Sequence, residues 1–470
     1  MLIRRFDRDL RSSSGTVPGI TASGQGALLG LCLLLTLNGC GEKEPTSVAA
    51  PGAPNVIFII ADAMRADRSS LYGHDRETTP NLEILAKDGV VFDRAYAQAP
   101  WTPPSMGSWM TGLYQTSHGV THSKRAEGAH SRLDSRHVTL AELFRSVGYR
   151  TAAVSAQPWI SEATGFDQGF GTFEVVGNLS DPLANEKIFK GGMEWIAELE
   201  EGERFFLYLH SMDPHFPYEV PDVFRFDTSP PPAPFDDGIT LQELEAFNDP
   251  SAPPSPEQLA HLFEIYDAEI RHVDSWLGAL DRHLRKLGLR EQTMIVFTSD
   301  HGEAFYEHGV WGHITTVYNE MLHIPLVLSW PGLEARRVDE PVESVDLLPT
   351  LARIVGFEPP PGLPGHDLLG DERPGLAYSE GDALLSFKIQ SLEYSLIVDP
   401  RRKAGALFDL VQDPLEQRNV ASQHPEETQR FARLLRDRRN AAARLALEGD
   451  SSVSLDEHTQ EQLESLGYAR

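Results

Sequence analysis

Two segments of this 470-residue chain end in side chains able to hold a metal ion. Asn55-Val56-Ile57-Phe58-Ile59-Ile60-Ala61 is an apolar run closed by Asp62. Met294-Ile295-Val296-Phe297-Thr298 is a second such run, followed by Ser299-Asp300-His301-Gly302-Glu303. Short β-branched runs of this kind read as buried strands. Open α/β sheets place their sites at the C-terminal ends of strands. Two carboxylates and an imidazole at such ends form a ligand set suited to Zn²⁺ or Mn²⁺. An isolated Asp-His pair would carry little weight, so the distant Asp62 is what turns it into a candidate metal centre.

A third segment offers a nucleophile. It reads Ala99-Pro100-Trp101-Thr102-Pro103-Pro104-Ser105-Met106-Gly107-Ser108-Trp109-Met110-Thr111-Gly112. Pro103 and Pro104 keep the chain extended and then allow a helix to begin. Thr102 is thereby placed just before a helix N-terminus, where free N–H groups attract anions. A metal-bound hydroxyl there can ionise and attack phosphorus or sulfur. The alternative is that Thr102 or Ser105 only caps the helix.

The intervening chain must position these groups. Thr79-Pro80-Asn81-Leu82 opens a helix, with Pro in its first turn. Residues 139–147 read as a helix ended by Gly148, and residues 150–155 as a strand. Residues 205–210 form another apolar strand. Residues 222–256 are rich in Pro, Asp and Glu and read as a surface insertion. Leu262, Ile265, Tyr266, Ile270, Val273, Leu277 and Leu280 recur at helical spacing across 257–287. Strand and helix signals alternate to about residue 356, as a parallel or mixed sheet covered on both faces requires. After about residue 376 the pattern changes to short strands at 394–398 and 406–410. A charged helical tail closes the chain.

The formal net charge of −28 leaves no basic surplus to neutralise phosphates, which excludes nucleic acid as the expected partner. Both cysteines, Cys32 and Cys40, lie near the N-terminus. Arg4, Arg5, Arg8 and Arg11 precede an apolar run over 27–37 that is too short for an ordinary membrane span and fits a signal peptide. It ends in Leu37-Asn38-Gly39-Cys40, which resembles the bacterial lipoprotein lipobox. That resemblance implies cleavage before Cys40 and a lipid on Cys40. Residues 1–39 are then the signal peptide and 40–54 a Pro/Gly/Ala-rich tether. The expected location is the bacterial cell envelope, on the periplasmic side or surface, with the membrane as partner through this anchor. The mature chain would have neither a disulfide nor a cysteine nucleophile.

Asp62, Thr79-Pro80-Asn81, the 99–112 segment, Asp300-His301-Gly302 and Tyr318-Asn319-Glu320…His323-Ile324-Pro325-Leu326 stand in the order seen in the sulfatase family of the alkaline-phosphatase superfamily. Asp346-Leu347-Leu348-Pro349-Thr350 and Phe408-Asp409-Leu410…Asp413-Pro414…Glu416…Asn419 resemble later parts of it. The likeness covers about residues 54–422. It implies an α/β fold with a mixed, mostly parallel sheet between helices and a small C-terminal α+β subdomain. The expected boundaries are 55–375 for the catalytic domain, 376–425 for an antiparallel subdomain and 426–470 for the tail.

The resemblance assigns Asp62, Thr102, Asp300 and His301 to one divalent metal ion. Oxygen ligands joined by an imidazole suit Mn²⁺ or Zn²⁺ better than Ca²⁺. Sulfatases carry Cys-x-Pro-Ser-Arg, whose Cys becomes formylglycine; here Thr102 stands for the Cys and Met106 for the Arg. No formylglycine is therefore expected, and the implied nucleophile is the Thr102 hydroxyl. Ala63 replaces a frequent second acid, and Ser155-Ala156-Gln157-Pro158 stands where a Gly-Lys-x-His-x-Gly motif is expected. His215, within His210-Ser211-Met212-Asp213-Pro214-His215, is the residue expected to meet the anionic group or the leaving oxygen, with His210 and Asp213 read as structural. His313 is the expected general acid or a second-ion ligand, and Arg65 and Asp67 are read as a brace or a salt bridge. The expected activity is metal-dependent hydrolysis of an anionic sulfate or phosphate ester. The alternatives are transfer of a phospho-head group to an envelope glycan or lipid, and a non-catalytic envelope binding protein.

Overall fold

The computed structural model describes residues 48–121, 130–177, 181, 183–401, 404–449 and 451–466. Cys40 and residues 1–39, where the sequence predicts a signal peptide, lie outside the described residues. Eight strands form the main sheet: β1 (Asn55–Ala61), β2 (Gly89–Phe92), β3 (Arg150–Ser155), β4 (Thr172–Val175), β5 (Phe205–Ser211), β6 (Thr293–Thr298), β7 (Leu326–Ser329) and β8 (Arg336–Val338). Their spatial order is β8-β2-β7-β6-β1-β5-β3-β4, and β7 alone runs against its neighbours. This is the mixed, mostly parallel α/β sheet expected from the sequence.

The apolar runs of β1 and β6 are continuous because both faces of the sheet are covered. In β1, Val56, Phe58 and Ile60 pack on one side with Met106, Trp109 and Phe144. Ile57, Ile59 and Ala61 pack on the other with Ile188, Tyr266 and Leu277. One layer thus comes from α2 (Thr102–Thr111), α3 (Leu140–Ser146) and α6 (Leu347–Val355). The opposite layer comes from α1 (Pro80–Ala86), α4 (Ala184–Ala197) and α5 (Pro256–Leu287).

Register brings the strand ends level. Ile60 of β1 lies opposite His210 of β5 and Thr298 of β6, and Ser155 of β3 lies opposite His210. Asp62, Asp300 and Gln157 follow within two residues of this row, so four adjacent parallel strands deliver their next side chains to one place.

Local chemistry sets the helix ends. Thr139 and Glu142 form a capping box at α3, as Ser255 and Gln258 do at α5. The start of α1 is capped from a distance. Asp274 of α5 accepts from the backbone N–H groups of Asn81 (2.9 Å) and Leu82 (2.8 Å), while Thr79 makes no side-chain cap. The 222–256 stretch holds short turns and one small helix, Leu241–Ala246.

Further along, β9 (Ala377–Glu380), β10 (Phe387–Gln390), β11 (Tyr394–Asp399) and β12 (Ala404–Asp409) form an antiparallel sheet. Phe431 and Leu435 of α7 (Pro425–Leu445) pack with its buried residues. The sequence showed only β11 and β12. In β10, Lys388 is fully buried and its Nζ lies 2.7 Å from Glu416 Oε1 and 2.7 Å from Asn319 Oδ1. Glu416 also accepts from the Asn319 N–H at 2.9 Å. The pair thus pins this sheet to the segment that opens at Asn319. Removing one member of a buried ion pair leaves an uncompensated charge, so Lys388→Ala should cost about 3–5 kcal/mol in denaturant unfolding. A loss within experimental error would show that water reaches Glu416.

Candidate active site

Asp62, Asp300 and His301 converge at the level strand ends, fully buried, with one ligand atom from each lying within 4.8 Å of the others. His301 Nε2 lies 3.6 Å from Asp62 Oδ1 and 3.4 Å from Asp300 Oδ2. Among the described residues, each carboxylate is held by one oxygen and leaves the other without a hydrogen-bond partner. Asp300 Oδ1 accepts from the N–H groups of Ala63 (3.1 Å) and His301 (2.9 Å), while Oδ2 has none. Asp62 Oδ2 accepts from Gln157 Nε2 (2.5 Å) and faces His210 Nε2 (3.2 Å), while Oδ1 has none. Unpartnered buried carboxylate oxygens are costly, and two of them facing one imidazole nitrogen fit a divalent cation. His301 Nδ1 lies 2.8 Å from the Gly302 carbonyl and donates to it. That bond leaves Nε2 as the coordinating atom, the usual outer support of a ligating histidine. Among the described residues there is no second such cluster. Asp213, expected to be structural, is bound to His272 Nδ1 at 2.8 Å.

The electrostatics follow from this packing. Burial alone would raise the Asp62 carboxyl, but the charges of His215, His210 and His301 outweigh it and hold it below the usual carboxylate range. Burial pulls the His301 imidazole down, and the Asp300 and Asp62 carboxylates reverse that and raise it. Both directions express an anionic pocket that draws positive charge.

Thr102 is the first residue of α2, and neither it nor Ser105 caps that helix. Its Oγ lies 3.3 Å from His301 Nε2 and 3.5 Å from Gln157 Nε2. Ser105 Oγ donates to the Asp300 carbonyl at 2.5 Å, tying the helix to the metal-ligand loop. The hydroxyl thus sits at a helix N-terminus beside the convergent ligands, where an anion and a nucleophile are both stabilised.

His215 and His313 close the same space. Their ring centroids lie 4.9 Å apart, and the His313 ring is 4.6 Å from that of His301. Burial lowers the His215 imidazole, and burial with the His301 charge pushes His313 down to about 3. Both shifts disfavour the charged form of these two rings. Arg65 donates to Asp67 and Glu307 and to the Glu303 carbonyl, bracing the loop that follows β6.

Three residues escaped the sequence reading. His210 was read as structural, yet it faces Asp62 directly, with Nδ1 2.5 Å from Tyr208 Oη. Gln157 was noted only as a missing motif, but its amide bridges Asp62 and Thr102. Glu303, adjoining the Asp300-His301-Gly302 segment, is fully buried, and its Oε1 lies 3.0 Å from His313 Nδ1. Burial pushes its carboxyl up to about 7. Only strand and hairpin register places these three.

Strand-end carboxylates and imidazole around a helix-borne hydroxyl, on a mostly parallel sheet, define an ester hydrolase of the alkaline-phosphatase-like class. The family model described as Sulfatase matches residues 54–357. The chain belongs to the sulfatase family. It is 24% identical to the ulvan-active sulfatase of Formosa agariphila, over 85% of this chain and 84% of that one. It is likewise 24% identical to arylsulfatase K of Canis lupus familiaris, over 84% of each chain. Among solved structures, the phosphonate monoester hydrolase of Agrobacterium radiobacter superposes with a TM-score of 0.66 at 22% identity, covering 83% of this chain and 96% of that one. A protein solved in complex with D-glucosamine-2-N,6-O-disulfate superposes at 0.67 with 20% identity, covering 83% and 98%.

Proposed function

We propose that this protein is a metal-dependent hydrolase of sulfate or phosphate esters, with the unmodified Thr102 hydroxyl as nucleophile. The observation that carries this reading is the position of Thr102 Oγ, at a helix N-terminus and 3.3 Å from the metal-facing nitrogen of His301. Asp62, Asp300 and His301, with Thr102 beside them, would hold one Mn²⁺ or Zn²⁺. A bound ion supplies Lewis acidity, lowering the pKa of the hydroxyl and polarising the ester. The protein's own groups do the rest. The α2 N-terminus and the Gln157 amide hold the anionic ester against Thr102. His215 and His313 face the oxygen that departs and then the water that replaces it. Threonine cannot become formylglycine, so the pathway of cysteine-bearing sulfatases does not apply, and the sulfate- and phosphonate-processing neighbours bracket the ester class.

Turnover of nitrophenyl sulfate, phosphate, a phosphodiester and a phosphonate ester by Mn²⁺- or Zn²⁺-loaded protein tests the reading. Cleavage of at least one ester is expected, and no turnover of any would overturn it.

We also propose that the chain is lipid-anchored in the bacterial envelope through Cys40. The lipobox-like Leu37-Asn38-Gly39-Cys40 supports this reading. Among the described residues no helix is long and apolar enough to cross a membrane. Mass spectrometry of the membrane-extracted protein should find an acylated N-terminal Cys40, and Cys40→Ser should release the chain from the membrane. An unmodified, uncleaved N-terminus would overturn the anchor.

A further inference from the structure

The geometry points to Glu303 as a positioning residue. It holds the His313 ring so that His313 accepts the proton of the water that resolves the Thr102 ester. The inference rests on the functional reading above.

Glu303 and His313 are brought together by a hairpin. Ala304–Phe305 pairs antiparallel with Trp311–Gly312, Phe305 opposite Trp311 and Ala304 opposite Gly312. Extending that register by one residue sets Glu303 across from His313. The contact is a 3.0 Å bond between His313 Nδ1 and Glu303 Oε1. The carboxylate is fully buried, and its Oε2 has no hydrogen-bond partner. The loop commits to this placement at a conformational cost. Gly312 and Ile314, on either side of His313, both have left-handed φ, at 96° and 78°. For a β-branched residue such as Ile314 that conformation is a true outlier, of the kind that collects at functional sites. Of Glu303, Arg65 takes the backbone carbonyl, which leaves the carboxylate to face the His313 ring.

A carboxylate that receives Nδ1–H fixes one tautomer, with the lone pair on Nε2 at the opposite edge of the ring. An imidazole so oriented is a base. In the second half of the reaction, water oxygen bonds to the phosphorus or sulfur held on Thr102. The bond from Thr102 Oγ to that centre breaks, and its electron pair stays on Oγ. The water proton passes to His313 Nε2. The imidazolium formed lies against the Glu303 carboxylate until the proton leaves to solvent. Carboxylate, imidazole and water thus act in series, as in other oriented-base sites.

Burst kinetics with a nitrophenyl ester separate the two halves, because nitrophenolate departs without an acid. In Glu303→Gln and Glu303→Ala, the burst of about one nitrophenolate per site should persist while the steady-state rate falls ~100-fold, the usual worth of a general base. The Thr102 adduct should accumulate and be found by intact mass. His313→Ala should show the same loss, and the double variant should lose no more than either single one. A lost burst, or losses that multiply, would overturn the assignment. Imidazole ¹⁵N NMR reads the ring without turnover. Wild type should show the hydrogen of His313 on Nδ1 and Glu303→Ala a mixture of tautomers. A wild-type ring with its hydrogen on Nε2 sinks the inference, even where activity is present. If wild type turned over no ester, the functional reading would fail, and the ring spectrum would still decide the Glu303–His313 pairing.

Discussion

Thr102→Ala should abolish ester turnover, by about 10⁴-fold or more, while the fold remains close to wild type. The expectation follows from geometry. Among the described residues, Thr102 Oγ makes hydrogen-bond contacts only with His301 Nε2 and Gln157 Nε2, both at the edge of range, so its removal orphans little. Were the hydroxyl only a helix cap, the substitution would cost about 1 kcal/mol of stability and spare activity. Thr102→Ser keeps a hydroxyl and should fall by no more than ~10-fold, since the added methyl only restricts the rotamer. Parallel assays on the ester panel, with unfolding curves of all three proteins, distinguish these outcomes. Cleavage that survives in Thr102→Ala would show that another nucleophile or a direct water attack carries the chemistry.

Loading the site with Mn²⁺ or Zn²⁺ should stabilise the fold, and Asp300→Asn should cancel the effect. An ion that binds the native state alone at about 100 times its Kd adds roughly 2.7 kcal/mol. The two carboxylate oxygens without partners, Asp62 Oδ1 and Asp300 Oδ2, are the groups it would satisfy. Asp300→Asn retains Oδ1, which accepts the Ala63 and His301 N–H groups, so the loop keeps its shape. It replaces only the oxygen aimed at the ion. Denaturant midpoints with and without chelator give the measurement independently of activity. Mn²⁺ or Zn²⁺ should shift the midpoint further than Ca²⁺, because one donor is an imidazole. An equal shift in wild type and Asp300→Asn would place the ion elsewhere, and a larger Ca²⁺ response would reject the ligand assignment.

The residues that could be read from sequence share one property: each closes a local pattern. Asp62 and Asp300-His301 stand at the ends of apolar strands, and Thr102 precedes two prolines that start a helix. Periodicity exposes such positions because strand burial and helix initiation are local. Residues 257–287 were legible as a helix for the same reason, since its apolar stripe repeats over many turns. β9 and β10 were not, because short antiparallel strands such as Ala377–Glu380 carry too few residues for a period to show.

His210, Gln157 and Glu303 behave differently. His210 lies inside a strand, where a histidine is more often packed than functional. Its role depends on β5 lying beside β1 with His210 level with Ile60. Gln157 reaches Asp62 only because β3 lies on the far side of β5 from β1, with its end level with theirs. Glu303 finds His313 only across a hairpin whose turn and register no local signal announces. The distant cap of α1 by Asp274 belongs to the same class.

By itself, then, the sequence determined the α/β class, the residue types able to hold a metal ion and a hydroxyl at a helix start. Those are properties of residue identity and of local order. Tertiary structure decided which oxygens of Asp62 and Asp300 are left for a cation, that Gln157 and His210 hold Asp62, and that Glu303 orients His313. Those depend on strand order and register, which arise from packing a whole sheet between two helical layers and not from any short stretch of chain.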